Sequence, residues 1–313
     1  MRIALTLTPP SDQYFRWAAQ IGATDFVCRN PQYYGLDAVD GLDHMHARAS
    51  SFGLRMSAVE GYLPLESIIV GGPERDMQIA QLVRMIERMG KLGVEVLCYN
   101  FMPVSDWFRT SFTLPERGGA LTCGFDASAL PDELAPASRR LPVERLWDNL
   151  AYMLRHLVPA AEYSGVKLAA HPDDPPLAQI KGAHQILYGP DCFDRLVQLV
   201  PSPVNGICMC QGTFAEMGAD IPATIRRFAR HIHYVHFRDI RGRADNFTET
   251  FHDNGMTDMA AAMRTYKEIS FTGPMRPDHV PALDGEGDGT GYTMLGRLFA
   301  VGYMRGLMHG IQA

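Results

Sequence analysis

Short apolar segments alternate with longer amphipathic segments along almost the whole chain, and this alternation limits the fold more than any other feature. Each short segment has the length of a buried strand, and each longer one has the periodicity of a helix with one apolar face. Several predicted helices end in glycine just before a strand, as at Gly90, Gly93 and Gly165. The predicted strands cover residues 2–8, 25–29, 55–60, 94–101, 166–171, 206–210, 231–237 and 274–278. Repeated strand–helix units predict an α/β fold with a parallel sheet.

Eight strands with intervening helices and a last helix after the eighth strand predict a (β/α)8 TIM barrel. A length of 313 residues would also fit two domains, but such barrels often exceed 250 residues as one unit. A doubly wound sheet is the alternative, yet no G-x-G-x-x-G motif follows the first strand. We therefore expect one domain over residues 1–313. The segment from Asp106 to about Pro142 has little periodicity and is expected to be a rim loop or insertion after the fourth strand.

Charge and cysteine content exclude several classes of protein. The formal net charge is -6 and no block of lysine and arginine stands out, which argues against a nucleic-acid partner. The six cysteines are widely spaced and form no CxxC pair, which is typical of a reducing compartment rather than of a disulfide scaffold. The N-terminal apolar run is too short for a signal peptide, and no stretch approaches the roughly 18 apolar residues of a membrane span. We expect a cytoplasmic protein with no membrane partner.

Four strand ends carry residues that can bind a metal ion. His171 and Cys210 are the last residues of their predicted strands, His236 is the next to last of its strand, and Asp278 ends the eighth. The carboxyl ends of barrel strands form one face, where the chemistry of this fold takes place. A thiolate, two imidazoles and a carboxylate suit a divalent transition metal better than Mg or Ca. Cys208 shares a face with Cys210 but lies farther from the strand end, so we expect it inside the barrel as an ordinary buried residue.

The seventh predicted strand contains three histidines, and the alternation of side chains separates them. His236 has the same parity as Tyr234, whereas His231 and His233 have the other parity. If Tyr234 and His236 point into the barrel, His231 and His233 face the helices. We therefore interpret His231 and His233 as structural residues and His236 as the ligand.

Two further motifs place carboxylates and a base beside the predicted ligands. In HPDDPP, either Asp173 or Asp174 could orient the imidazole of His171, although a solvated acidic turn is the alternative. His279 follows Asp278 directly, so one side chain could bind metal while the other acts as acid or base. Arg276 could pair with a carboxylate in a bidentate manner.

Taken in order, the motifs of this chain resemble those of the mannonate dehydratase family, whose members are xylose-isomerase-like TIM barrels. The resemblance runs from about Leu54 to the C-terminus. The motifs that carry it are CYNFMPVSDWFRT (98–110), HPDDPP (171–176), NGICMCQG (205–212), HIHYVHFRD (231–239), FHDNGMTDM (251–259), PMRPDH (274–279) and GYTMLGRLFAVGYMRGL (291–307).

The resemblance implies a metal-dependent conversion of D-mannonate to 2-keto-3-deoxy-D-gluconate with Mn2+ or Fe2+. It implies the same metal ligands that strand position selects, with one ion per chain, and it matches His279 and Tyr292 to the family's catalytic pair. Removing a proton next to a carboxylate needs stabilisation of negative charge, and a leaving hydroxide needs a proton, so a metal and two acid–base groups suit this reaction. The ligand chemistry alone leaves Mn, Fe, Co and Zn open. The candidates for holding the substrate are Asn100, Trp107, Arg109, Arg238, His252 and Arg276.

Some positions depart from the family pattern. The first strand ends in TLTPPSDQ, Val280 follows RPDH where the family has glycine, and the rim segment after Thr110 is short. These departures alter the part of the rim that would contact the substrate.

Two alternative functions stay open: a sugar isomerase or epimerase of the same barrel superfamily, and a non-catalytic barrel that binds a sugar acid or a metal. The apolar C-terminal helix predicts either a homodimer or ordinary packing against the barrel.

Overall fold

The structure is a computed structural model that describes residues 1–104, 107–287 and 291–311. Its strands, in chain order, are β1 (Arg2–Thr6), β2 (Asp25–Arg29), β3 (Arg55–Glu60), β4 (Val96–Asn100), β5 (Ser111–Pro115), β6 (Leu121–Asp126), β7 (Lys167–His171), β8 (Gln179–Ile180), β9 (Ala183–His184), β10 (Asn205–Cys210), β11 (Ile232–Phe237), β12 (Ile240–Arg243), β13 (Asn246–Glu249) and β14 (Pro274–Pro277).

Helices follow most of the barrel strands. In chain order they are α1 (Asp12–Gln20), α2 (Asp40–Ser51), α3 (Glu66–Val70), α4 (Arg75–Leu92), α5 (Val143–Ser164), α6 (Pro190–Leu199), α7 (Gln211–Glu216), α8 (Ile221–Arg227), α9 (Met259–Glu268) and α10 (Met294–Gly310). Among the described helices, none is both long enough and apolar enough to cross a membrane.

Eight parallel strands close into a barrel in the order β1-β14-β11-β10-β7-β4-β3-β2. The predicted TIM barrel is therefore confirmed, and each predicted strand is present. The main differences lie at the ends: β1 stops at Thr6 rather than at residue 8, and β4 covers 96–100 rather than 94–101.

The barrel interior and the layer between barrel and helices form separate apolar clusters. Side chains of alternate strand residues fill the interior, and most of them are small; they are Ala4, Val27, Ala58, Val96, Cys98, Ala169, Cys208 and Tyr234. The larger cluster packs the helices against the outside of the strands. Cys208 and Tyr234 lie in the interior, as the parity argument requires. In β11, however, a bulge at His233 interrupts the alternation, and Ile232 packs outside the barrel although it has the parity of Tyr234.

The segment predicted as a rim loop contains two strands instead. β5 and β6 form a hairpin, and β6 pairs with β13 to give a four-stranded antiparallel sheet in the order β12-β13-β6-β5. Asp106, where the predicted loop begins, lies outside the described residues. Local periodicity could not reveal this sheet, since the strand that completes the pairing comes more than 100 residues later in the chain.

Candidate metal centre and the cavity beside it

Four neighbouring barrel strands bring the predicted metal ligands together. His171 and Cys210 are the last residues of β7 and β10, His236 is the penultimate residue of β11, and Asp278 follows β14. The donor atoms of these four residues all lie within 4.8 Å of one another. All four side chains are buried, with His171 the most exposed at 7%. The strand-end rule thus selected four residues that converge on one point.

The two imidazoles are held so that one nitrogen of each faces the other. Nδ1 of His171 donates to the carbonyl oxygen of Pro172 at 2.7 Å, and Nε2 of His236 lies 3.2 Å from Oε2 of Glu60. The remaining nitrogens, Nε2 of His171 and Nδ1 of His236, are 3.1 Å apart. Metal-binding histidines are usually oriented in this way by a partner on the second nitrogen. The donor set and its support therefore fit a divalent transition metal ion.

The partner of His171 differs from the prediction. Neither aspartate of HPDDPP orients its imidazole, because the Pro172 carbonyl takes that place. Asp174 instead pairs with Arg109 at 2.7 Å, and Asp173 accepts a hydrogen bond from the backbone of Leu187 at 2.6 Å. Both aspartates are buried, so the solvated turn is excluded as well.

The environment of Cys210 favours its thiolate. Burial alone would raise the pKa of this thiol, but His171 and Arg238 lower it to about 5. Oγ1 of Thr213 donates to the sulfur at 3.1 Å, and Nη1 of Arg238 lies 3.6 Å away. Cys98 and Cys208, which with His236 form a second group of possible donors, lie in the barrel interior. Burial raises the pKa of Cys208 well above its usual value, which keeps that thiol protonated.

A cavity of about 270 Å³ opens beside these ligands. Its walls come from the carboxyl ends of the strands and the loops that follow them, as expected for this fold. The described residues that line it are Arg29, Glu60, Gly61, Tyr62, Asn100, Trp107, His171, Asp174, His236, Arg276, Asp278, His279 and Tyr292.

The predicted catalytic pair lies in the cavity wall. The rings of His279 and Tyr292 have centroids 5.0 Å apart, and the Tyr292 hydroxyl donates to Oδ1 of Asp278 at 3.5 Å. Burial lowers the pKa of His279 to about 4, against the opposing effect of Asp278, so its imidazole is neutral near pH 7. Burial also raises the pKa of the Tyr292 phenol, which therefore keeps its proton.

Gly291 allows these two side chains to approach. Its φ is +84°, and a Cβ atom at this position would lie 2.5 Å from Nδ1 of His279. Glycine adopts this left-handed backbone without strain, and it leaves room for the imidazole. The preceding Gly289 and Thr290 lie outside the described residues.

The residues predicted to hold the substrate divide into two groups. Asn100, Trp107 and Arg276 line the cavity, whereas Arg109, Arg238 and His252 are absent from its described wall. His252 lies behind the wall, where Nε2 is 2.6 Å from the carbonyl oxygen of Phe237 and burial lowers its pKa to about 4. Direct contact between the substrate and these three side chains is therefore not supported by their positions.

Arg109 and Arg238 belong to a buried network of charged residues behind Cys210. Arg109 bridges Asp174 at 2.7 Å and Glu249 at 2.6 Å. Arg238 contacts Glu249 and Glu216, both at 2.6 Å. Burial raises the pKa of Glu216 well above its usual range, against the opposing effect of Arg238. Each guanidinium thus bridges two buried carboxyl groups, and the two share Glu249.

Two charged residues of the cavity wall were missed as site residues. Arg29 and Glu60 are the last residues of β2 and β3, and they are register partners. Glu60 forms an ion pair with Arg276 and approaches His236. Burial would raise the pKa of Glu60, but Arg276 and His236 hold it well below its usual value. The strand-end rule that found the metal ligands would have found both residues.

Comparison with known proteins agrees with the geometry. The family model for D-mannonate dehydratase matches residues 36–140 and 133–313. The chain is 34% identical to a mannonate dehydratase of Oceanobacillus iheyensis, over 87% of this chain and 86% of that protein. It is 31% identical to a mannonate dehydratase of Streptococcus agalactiae, over 86% of each.

Solved structures show the same relationship. The mannonate dehydratase of Streptococcus suis superposes with a TM-score of 0.91 at 28% identity, covering 100% of this chain and 95% of that one. A D-tagatose 3-epimerase-like protein superposes with a TM-score of 0.67 at 14% identity, covering 100% and 98%, and so shares the fold alone. The chain belongs to the mannonate dehydratase family and is an enzyme of the dehydratase kind.

Proposed function

We propose that this chain removes water from D-mannonate to give 2-keto-3-deoxy-D-gluconate, with one divalent ion, Mn2+ or Fe2+, held by His171, Cys210, His236 and Asp278. The observation that carries the proposal is the convergence of these four donors within 4.8 Å beside a cavity lined by His279 and Tyr292. When bound, the metal supplies positive charge that stabilises negative charge developing next to the substrate carboxylate.

We assign the base to His279 and the acid to Tyr292. A neutral imidazole can accept the C2 proton, and burial lowers the pKa of His279 to about 4. The Tyr292 phenol keeps its proton, since burial raises its pKa, and can donate it to the C3 hydroxide, which leaves as water. The enol that remains becomes the 2-keto-3-deoxy acid. Asp278 holds the Tyr292 hydroxyl at 3.5 Å in the wall of the cavity.

The strand-end carboxylate that an epimerase could use as a base is already engaged. Glu60 is paired with Arg276 and has a strongly lowered pKa, for which Arg276 and His236 outweigh the opposing effect of burial. Both oxygens of Glu60 are occupied, Oε1 by Arg276 and Oε2 by Arg276 and His236, so neither is free to accept a substrate proton. The geometry therefore favours dehydration over epimerisation.

The test is to incubate the Mn-loaded protein with a panel of aldonates and to follow formation of 2-keto-3-deoxy acids. We expect D-mannonate to be converted, with its C2 epimer D-gluconate as the stereochemical control. Conversion of another aldonate in preference to D-mannonate would keep the reaction class and correct the substrate. If the metal binds and no aldonate yields a keto acid, the proposed function is wrong.

A further inference from the structure

Arg29 lies across the barrel mouth from the metal ligands. It is the last residue of β2, and in the ring of eight strands β2 stands opposite β10, which ends at Cys210. Its side chain lines the same cavity as His171, His236 and Asp278. A ligand in this cavity thus has the metal ligands on one side and the Arg29 guanidinium on the other.

Three aromatic rings surround the Arg29 guanidinium, while Glu60 of the neighbouring strand acts on it only through space, because that carboxylate is paired with Arg276. The central carbon of the Arg29 guanidinium lies 5.3 Å from the ring centroid of Tyr33, 5.2 Å from that of Tyr62 and 4.9 Å from that of Tyr292. Such rings attract the flat face of a guanidinium group and leave the N–H groups at its edge available for hydrogen-bond acceptors. Within the described part of the chain, Arg29 forms no ion pair, and its Nε is buried without a hydrogen-bond partner.

The backbone of Tyr62 has an unusual conformation that places its ring beside the Arg29 guanidinium. Tyr62 has a φ of 55°, in a region that residues other than glycine rarely adopt. In this conformation its ring stacks on Tyr33, with centroids 4.4 Å apart and planes at 24°. Unusual backbone of this kind tends to occur where a ligand is bound.

The other charges of the described cavity wall are already matched. Arg276, the second arginine of the wall, pairs with Glu60 and with Asp278. Asp174 pairs with Arg109 behind the wall. Among the described residues, Arg29 is therefore the arginine of this wall that forms no ion pair, and a partly desolvated cation gains most from an anionic partner.

We propose that Arg29 binds the carboxylate of the sugar acid and so makes the cavity selective for acids over uncharged polyols. The nature of this anion rests on the proposed function. The guanidinium fork can donate two parallel hydrogen bonds to the two oxygens of a carboxylate. Arg29 acts in this role as a residue for substrate specificity, separate from the proton transfers assigned to His279 and Tyr292.

The test measures binding rather than turnover. In a His279→Gln background, which is expected to stop conversion, affinities for D-mannonate and for the uncharged polyol D-mannitol are measured by calorimetry on the Mn-loaded protein. Arg29→Gln should weaken D-mannonate binding roughly 10- to 100-fold, as expected for hydrogen bonds to a charged group. Binding of D-mannitol should change less than about threefold, because no charge is lost from that complex.

Two further variants test whether a loss of affinity comes from the missing charge of Arg29 or from a change in the structure of the protein. Arg29→Met keeps the long apolar stem against the tyrosine rings, and it should lose D-mannonate affinity to the same extent. Arg55→Gln removes an exposed arginine at the start of β3, which is the opposite end of the barrel, and should change neither affinity.

The outcomes separate this inference from the proposed function. Unchanged D-mannonate affinity in both Arg29 variants would overturn the inference, as would an equal loss of D-mannitol affinity or a failure of the background protein to bind D-mannonate. If the unmutated enzyme converts no aldonate but binds D-mannonate in an Arg29-dependent manner, the proposed reaction fails and the inference stands.

Discussion

At the scale of single residues, the position of each donor within its strand decides its role. Cys208 and Cys210 point to the same side of β10, yet one layer separates a protonated thiol in the barrel interior from a thiol whose pKa falls to about 5. Burial opposes the thiolate in both, and only Cys210 has the cations His171 and Arg238 within reach to reverse it. The chemical difference between two identical side chains therefore comes from their neighbours.

Exchanging each cysteine separately tests this difference. Cys210→Ser should weaken Co2+ binding by at least about tenfold and abolish the thiolate-to-cobalt charge-transfer absorption, because the soft ligand is lost. Cys208→Ser is the matched control and should retain both the affinity and the absorption band. The metal-ligand prediction would be wrong if Cys208→Ser lost the band and Cys210→Ser kept it.

The proton-transfer roles can be separated by isotope exchange. His279→Asn should lose both turnover and exchange of the C2 hydrogen of D-mannonate in D2O, since the proton acceptor is gone. Tyr292→Phe should lose turnover by about 10²- to 10⁴-fold but retain C2 exchange, measured by NMR. Exchange that persists in His279→Asn and disappears in Tyr292→Phe would reverse the two assignments.

At the scale of elements, the rim sheet is attached to the barrel by buried ion pairs. Arg109, just before β5, reaches Asp174 in the loop after β7 and Glu249 at the end of β13. All three side chains are at most 2% exposed. Asp174 lines the cavity and Glu249 contacts Arg238 behind Cys210. The network thus connects the added sheet to the wall of the site.

Removing one member of this network should destabilise the folded protein. Arg109→Met leaves two buried carboxylates with one fewer cation, so the free energy of unfolding should fall by about 3–5 kcal/mol. Arg117→Met removes the exposed pair with Asp253 on the same rim segment and should cost no more than about 1 kcal/mol. Both are measured by urea denaturation, and similar losses for the two variants would show that burial of the Arg109 network is unimportant.

At the scale of the whole molecule, several histidines are kept neutral by burial. Burial lowers the pKa of His233 to about 3 and those of His252 and His279 to about 4. Of these, His233 lies at a bulge in β11 and its ring approaches Gly206 of β10, so the strand alternation on which its predicted position facing the helices rested is broken there. Self-association through α10, where Leu295 and Phe299 are exposed, stays a prediction.

These histidines should make the fold sensitive to acid. In the unfolded chain a histidine binds a proton below its ordinary pKa near 6.5, whereas His233 in the folded chain binds one only below about 3. Between these values the unfolded state holds more protons, so stability falls as pH decreases, by up to about 1.4 kcal/mol per pH unit for each histidine. Above pH 6.5 the effect should vanish.

The measurement is the free energy of unfolding as a function of pH between 4 and 7. His233→Leu has similar volume and no proton to bind, so its stability should fall less steeply with acid than that of the unmutated protein. The exposed His44→Asn serves as the control for loss of a histidine. An unchanged slope in His233→Leu would contradict the prediction.

Local properties of the sequence were enough to predict the barrel and the four candidate metal ligands. Strand order, side-chain alternation and the rule that barrel chemistry occurs at strand ends all depend on nearby residues, which is why His171, Cys210, His236 and Asp278 could be selected together. Other features were decided only by the tertiary structure. These features depend largely on how loops from distant parts of the chain meet: the hydrogen-bond partner of His171, the burial of Arg109 and Arg238, the rim sheet, and the absence of an ion-pair partner for Arg29 among the described residues. The sequence pattern shows which side chain reaches the rim of the barrel. Its ion-pair partner depends on which charged residues the fold brings close to it from distant parts of the chain.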